Sequence, residues 1–184
     1  MIMNSITNDI EETLYSEEEI LKRVEEISMQ ISKDYEDKDL LIVGILKGSV
    51  IFTSDLAKHI KIPCSLDFMA VSSYGSSTES SGVIKILKDL DEDIEGKHVL
   101  IVEDIVDTGI TLSYLLEYLN VRKAASIEIV ALLNKKARRK ADIKVKYIGF
   151  DIPDEFIVGY GMDYSEKYRN LPFIGILKRE IYEK

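Results

Sequence analysis

A chain of 184 residues, 46% of them hydrophobic, can bury a real core within one domain, and disorder is not expected of it. Its formal net charge of −9 argues against a nucleic-acid or anionic-membrane surface as the main partner, although local amides, lysines and a metal can still hold a small anion. The single cysteine, Cys64, excludes an intramolecular disulfide or a cysteine-rich zinc site.

Residues 1–12 lack a basic region followed by an apolar stretch, so no signal peptide is expected there. No apolar run approaches the ~20 residues of a membrane span, and the expectation is a soluble, cytoplasmic protein. Ser16 followed three residues later by Glu19 reads as a capping box, and Ile20, Val24, Ile27 and Ile31 mark one face of a helix ending near Tyr35. Residues 40–46 form a continuous apolar run, the pattern of a strand covered on both faces. A helix over 50–60 and a strand over 66–71 follow; Cys64, after Pro63 at the start of that run, reads as a buried structural thiol. Serine and glycine dominate residues 72–82, which predicts a surface loop. A strand over 83–87, a turn over 93–96, a strand over 99–102, a helix over 110–119 and a strand over 127–133 complete an alternating pattern. Such alternation implies an α/β fold with a central parallel sheet flanked by helices. Beyond residue 140, short strands over 145–150, 157–159 and 174–177 suggest a small subdomain over the open edge of that sheet.

The most informative stretch runs from Val99 to Thr111. A buried strand meets two adjacent carboxylates, Glu103 and Asp104, then a small turn, then a helix. Ligands of open parallel sheets sit outside the carboxyl ends of the strands, which is where this segment falls. The turn Asp107-Thr108-Gly109-Ile110-Thr111 supplies backbone N–H groups at a helix start and two hydroxyls, a cradle suited to a phosphate monoester. Glu103 and Asp104 repel phosphate but suit ribose hydroxyls or a bridging magnesium ion. Acids also favour helix starts for electrostatic reasons alone. Behind four apolar strand residues, and ahead of Asp-Thr-Gly-Ile-Thr, a ribose-5-phosphate site is the better reading.

This segment resembles the phosphoribosyl pyrophosphate motif of the type I phosphoribosyltransferases, and the resemblance extends over approximately residues 40–177. It implies that family's fold, with a core over about 16–140 and a small C-terminal hood over about 141–184 to which the N-terminus contributes. Residues 43–49 resemble the pyrophosphate loop of the hypoxanthine-guanine branch, in which Leu46, Lys47 and Gly48 would bind pyrophosphate through the backbone amides of Lys47 and Gly48, and the Leu46–Lys47 peptide bond can be cis. Ser73 and Tyr74 look like the start of the catalytic lid. Residues 132–136 match the segment whose lysine, here Lys135, meets the purine 6-oxo group. Lys136, Arg138, Arg139 and Lys140 read as a solvated charge run instead. Residues 156–164 and 168–172 match the C-terminal signature. By that match Phe156 would stack on the purine, the Ile157 backbone would read the ring edge, Asp163 would face base and metal, and Arg169 would hold pyrophosphate.

The implied reaction is transfer of the phosphoribosyl group from phosphoribosyl pyrophosphate to hypoxanthine or guanine, giving IMP or GMP and pyrophosphate. Magnesium would be held by Glu103, Asp104 and Asp163, and Asp107 would serve as general base. A homodimer or homotetramer is implied by the family alone. A regulator of the same fold, sensing the sugar phosphate without catalysis, would need a nucleic-acid surface that the net charge opposes. His59 and His98 match no role and read as structural or surface residues.

Overall fold

The computed structural model describes residues 4–73 and 84–183, and within them two sheets. A short helix α1 (Asn4–Thr7) and strand β1 (Ile10–Tyr15) open the chain. Helix α2 (Glu17–Asp34) follows, and its start is the expected capping box: Glu19 N–H donates to Ser16 Oγ while the Ser16 N–H donates to Glu19 Oε2 at 2.8 Å. Strand β2 (Leu40–Leu46), helix α3 (Val50–His59), strand β3 (Cys64–Ser73), strand β4 (Ile84–Lys88), strand β5 (His98–Val106), helix α4 (Ile110–Asn120) and strand β6 (Ser126–Asn134) come next. Strands β7 (Tyr147–Asp151), β8 (Ile157–Val158) and β9 (Ile174–Leu177) and helix α5 (Arg179–Tyr182) end it.

The larger sheet has the order β4-β3-β2-β5-β6-β7, parallel throughout except for β4, which pairs antiparallel with β3 at the edge. The expectation of a parallel sheet therefore holds for five strands, and the strand expected over 83–87 is this antiparallel edge; Val83 lies outside the described residues. Alternation places successive residues of the central strands on opposite faces. Leu40, Ile42, Leu100, Val102, Val130 and Leu132 pack with α2 and α3. Leu41, Val43, Val99, Ile101, Ile129 and Ala131 pack with Leu112, Leu115 and Leu119 of α4. Both faces are thus apolar, which is why these strands read as unbroken hydrophobic runs.

The second sheet, β1-β9-β8, is the hood, with a small core of its own around Val158, Tyr168, Leu171 and Leu177. The sequence suggests a small subdomain over the open edge of the larger sheet, and the hood extends beyond that edge. Tyr15 does stack on Phe150 of edge strand β7, with ring centroids 4.0 Å apart. The loop after β8, however, reaches the carboxyl ends of the strands: Tyr160 Oη donates to Asp55 of α3 at 2.6 Å, and Gly161 packs on the carbonyl of Gly48. Cys64 is also corrected. It is exposed, because it is the first residue of β3, at an amino end where Ser65 and Leu66 are exposed too.

Candidate active site

Strand order makes the site. After β2 the chain turns one way to β3, and β5 leads the other way to β6 and β7, so the loops leaving β2 and β5 part at a topological switch point. Register sets their relative height: Gly44 pairs with Val102, which brings Leu46, Lys47 and Gly48 beside Glu103 and Asp104. The Leu46–Lys47 peptide bond is cis. Gly48 has no room for a side chain, since a Cβ there would overlap the Asp104 carboxylate.

Beyond Val106 the chain makes the turn of residues 107–109 and enters α4. Gly109 takes φ of 79°, a left-handed conformation that L side chains avoid, and as N-cap it offers no side chain to the helix. Of the first amides of α4, that of Ile110 donates to Thr108 Oγ1, and those of the following residues can serve an external acceptor. A cavity of about 100 Å³ opens there, lined by Glu103, Asp107, Thr108, Gly109 and Thr111. Ile110 lends the turn its backbone, its N–H lying 3.4 Å from Thr108 Oγ1.

An adjoining cavity of about 250 Å³ is lined by Asp104, Asp107, Lys135, Phe156, Ile157 and Asp163, among others. Asp107 borders both cavities. Lys135, at the end of β6, is buried, donates from Nζ to the Glu155 carbonyl at 2.8 Å and lies 3.5 Å from Asp154. Phe156 carries Tyr182 stacked at 4.8 Å and Tyr164 edge-on at 5.5 Å; neither tyrosine lines the cavity. Arg169 donates to the Gly161 carbonyl at 2.8 Å and pairs with Asp163 at 2.8 Å. Lys47 Nζ lies 3.1 Å from Glu166.

The site is electrostatically unfinished. Among the described residues, four buried polar side-chain atoms lack a hydrogen-bond partner, and three of them are here: Glu103 Oε2, Asp107 Oδ1 and Arg169 Nε. Buried polar atoms normally find partners, so a cluster of orphans marks a place built for a ligand. Burial pushes the Glu103 carboxyl well above the usual range, helped by the Asp104 charge. Burial likewise lifts Asp104 to about 6, against the amides of Ile105 and Asp104 itself and the Arg169 charge, which pull it down. Two acids held this way favour a cation. Among the described residues no three acidic, histidine or cysteine side chains converge as a self-sufficient metal site. Magnesium binds well to one or two carboxylates plus substrate oxygens, so the donor set suits a metal that arrives with a diphosphate.

Every sequence-predicted site residue among the described ones gathers at this end of the sheet; Ser73 ends β3, which is parallel to β2 and lies on the side of it away from β5. Tyr74 lies outside the described residues. The charge run after β6 needs correction. Lys136 is a surface residue paired with Asp151, as expected. Arg139 instead donates to the carbonyl of Asp107 at 3.1 Å and to Asn134 Oδ1 at 2.6 Å, pinning the turn. Arg138, though 56% exposed, lines the larger cavity and lies 3.5 Å from Asp107. A three-residue 3-10 turn, Lys136–Arg138, swings both arginines back over the strand ends. Their position just past a strand end was the available signal; a run of basic residues in sequence obscured it.

A largely parallel α/β sheet with a glycine turn opening a helix at its switch point, and a hood over an adjoining cavity, is an architecture suited to a phosphorylated nucleotide or sugar. Comparison agrees with the geometry. The phosphoribosyl transferase domain family matches residues 11–165. The chain belongs to the phosphoribosyltransferase family. It is 56% identical over 176 residues to the hypoxanthine-guanine phosphoribosyltransferase of Bacillus subtilis, covering 96% of this chain and 98% of that one. It is 57% identical over 175 residues to the enzyme of the same name from Staphylococcus aureus, covering 95% and 98%. The solved structure of a hypoxanthine phosphoribosyltransferase from Staphylococcus aureus superposes with a TM-score of 0.95 at 56% identity, covering 99% of this chain and all of that one.

Proposed function

We propose that the chain transfers the 5-phosphoribosyl group from phosphoribosyl pyrophosphate to hypoxanthine or guanine, releasing pyrophosphate and forming IMP or GMP. One observation carries the reading: Asp107 borders both the phosphate-sized cavity at the start of α4 and the larger cavity containing Lys135 and Phe156. A reaction joining a sugar phosphate to a base needs the two sites side by side, and the shared wall at Asp107 makes these cavities neighbours. The names of the relatives support the choice of purine.

In this reading the amides and hydroxyls of residues 107–111 hold the 5′-phosphate, and Glu103 and Asp104 face the ribose. Phe156 supplies a stacking face, Lys135 donates to the 6-oxo group and the Ile157 backbone reads the ring edge; stacking of this kind is worth roughly 1–3 kcal/mol. Lys47 and Arg169 offset the charge of the departing pyrophosphate while the Lys47 and Gly48 amides donate to it, electrostatic stabilisation of the kind that usually dominates catalysis. Magnesium, when bound by Glu103, Asp104 and Asp163, would add charge neutralisation on the diphosphate. The orphaned Oδ1 of Asp107 is an acceptor for the proton leaving purine N7.

The test is a side-by-side assay with magnesium, phosphoribosyl pyrophosphate and hypoxanthine, guanine, xanthine, adenine or uracil. Turnover with hypoxanthine and guanine and none with adenine or uracil is expected; the opposite preference contradicts the reading. Asp107→Asn should retain phosphoribosyl pyrophosphate binding yet turn over at least ~10²-fold more slowly, the usual worth of acid–base catalysis. Near-normal turnover would remove Asp107 from the mechanism.

A further inference from the structure

Glu166 has no role in the reading above, yet it touches both cationic side chains assigned there to pyrophosphate. Its Oε2 lies 3.1 Å from Lys47 Nζ and its Oε1 3.5 Å from Arg169, so one carboxylate spans two cations 122 residues apart in the chain. The pairing lowers the Glu166 carboxyl below its usual range, chiefly through the hydrogen bond from Lys47.

The backbone presents this side chain deliberately. Tyr164 and Lys167 form an antiparallel bridge, and between them Ser165 and Glu166 take φ of 51° and 61°. Two consecutive left-handed residues characterise a type I′ turn, where glycine, asparagine and aspartate are the usual occupants. The Glu166 N–H also donates to Asp163 Oδ2 at 2.8 Å, which fixes the turn against the site. A glutamate in that conformation costs more than glycine would, so its carboxylate needs a reason to be there.

We propose that Glu166 is a resident counter-anion of the pyrophosphate subsite, occupying Lys47 and Arg169 until a diphosphate displaces it and competing with pyrophosphate for them after transfer. This rests on the proposed function, since it takes Lys47 and Arg169 as the pyrophosphate cations. Two features make the exchange workable. The Glu166 and Lys47 side chains are both 66% exposed, so the carboxylate can swing into solvent without disturbing packing. Arg169 stays in place when it leaves, held by Asp163 and the Gly161 carbonyl. The consequence is weaker binding of both the diphosphate substrate and the released product, which favours product departure.

The test is calorimetric titration of magnesium pyrophosphate into the unaltered chain and into Glu166→Gln, with IMP titrated in parallel. Glutamine keeps the side-chain length and the backbone turn and removes only the charge. Because exposed ion pairs each contribute a few-fold at most, pyrophosphate should bind about 3- to 10-fold more tightly to the variant. KM for phosphoribosyl pyrophosphate should fall in step, and IMP affinity should stay the same. Pyrophosphate binding that is unchanged or weakened in the variant overturns the proposal while leaving the proposed function standing. An equal gain for pyrophosphate and IMP also overturns it, because that reports only the loss of one negative charge. If the unaltered chain binds no pyrophosphate at all, both the proposal and the assignment beneath it fall.

Discussion

Glu103 and Asp104 are the residues that folding treats worst. Each is a carboxyl that burial raises above its usual value, Asp104 from 3.8 to about 6. A carboxyl whose folded pKa exceeds its unfolded one contributes stability that is fully present below the unfolded value and is lost as pH rises through the folded value. For Asp104 that window runs from about pH 4 to about pH 6, and the loss persists at neutral pH. Without divalent cations, Asp104→Asn should therefore be more stable than the unaltered chain at pH 7, by ~1–3 kcal/mol, and the advantage should vanish near pH 4. Thermal melts of both proteins across that range check it; an advantage independent of pH would contradict the assignment. Such a cost is tolerable where a ligand repays it, and the orphaned Glu103 Oε2 points the same way.

At the scale of elements, the site is three chain segments meeting: the loop after β2, the turn between β5 and α4, and the loop after β8. The contact between the first two is close enough that Gly48→Ala would drive a methyl into the Asp104 carboxylate. Overpacking of this kind costs about 1–3 kcal/mol, so KM for phosphoribosyl pyrophosphate should rise about 10- to 100-fold. Initial-rate kinetics decide the matter, and an unchanged KM would show that the loop does not approach substrate. The β5–turn–α4 segment was legible in sequence because its strand is apolar on both faces and its turn carries a specific motif. Strand β1 was not, because Glu11, Glu12 and Thr13 face solvent and leave only a broken apolar pattern. Arg138 and Arg139 escaped notice for a different reason: a 3-10 turn decides where they point, and periodicity carries no trace of it.

The molecule as a whole is a rigid sheet with a hood fastened across it. Ile157, Tyr160, Met162, Ile174 and Ile176 share the apolar core of the sheet's α2–α3 side, and the buried hydrogen bond from Tyr160 to Asp55 adds a polar fastener. Removing the hydroxyl in Tyr160→Phe takes away the hydrogen bond to Asp55 Oδ2 and leaves Asp55 its ion pair with Lys58, and should destabilise the chain by about 1–3 kcal/mol. Amide hydrogen exchange should quicken in residues 157–177 and stay slow in β2, β5 and β6; uniform acceleration would mean that hood and sheet open as one unit. The hood was legible as a separate pattern of short strands, but its seat was not. Docking over the carboxyl ends depends on Gly161 meeting the Gly48 carbonyl, a fit between residues far apart in sequence. By contrast β2 was readable to the residue and β6 to within one at each end, because double-sided burial writes itself into unbroken apolar runs. Strand β5 instead runs four residues past its apolar stretch, through Glu103 and Asp104 to Val106, and β3 extends two residues further at each end.

The central claim is that residues 107–111 grip a 5′-phosphate while Phe156 and Lys135 hold the base. A crystal structure of the chain soaked with IMP tests it most directly. The account predicts phosphate density on the amides of residues 108–111, with the purine against Phe156 and its 6-oxo group within hydrogen-bond reach of Lys135. An empty turn, with the nucleotide bound elsewhere, would contradict it.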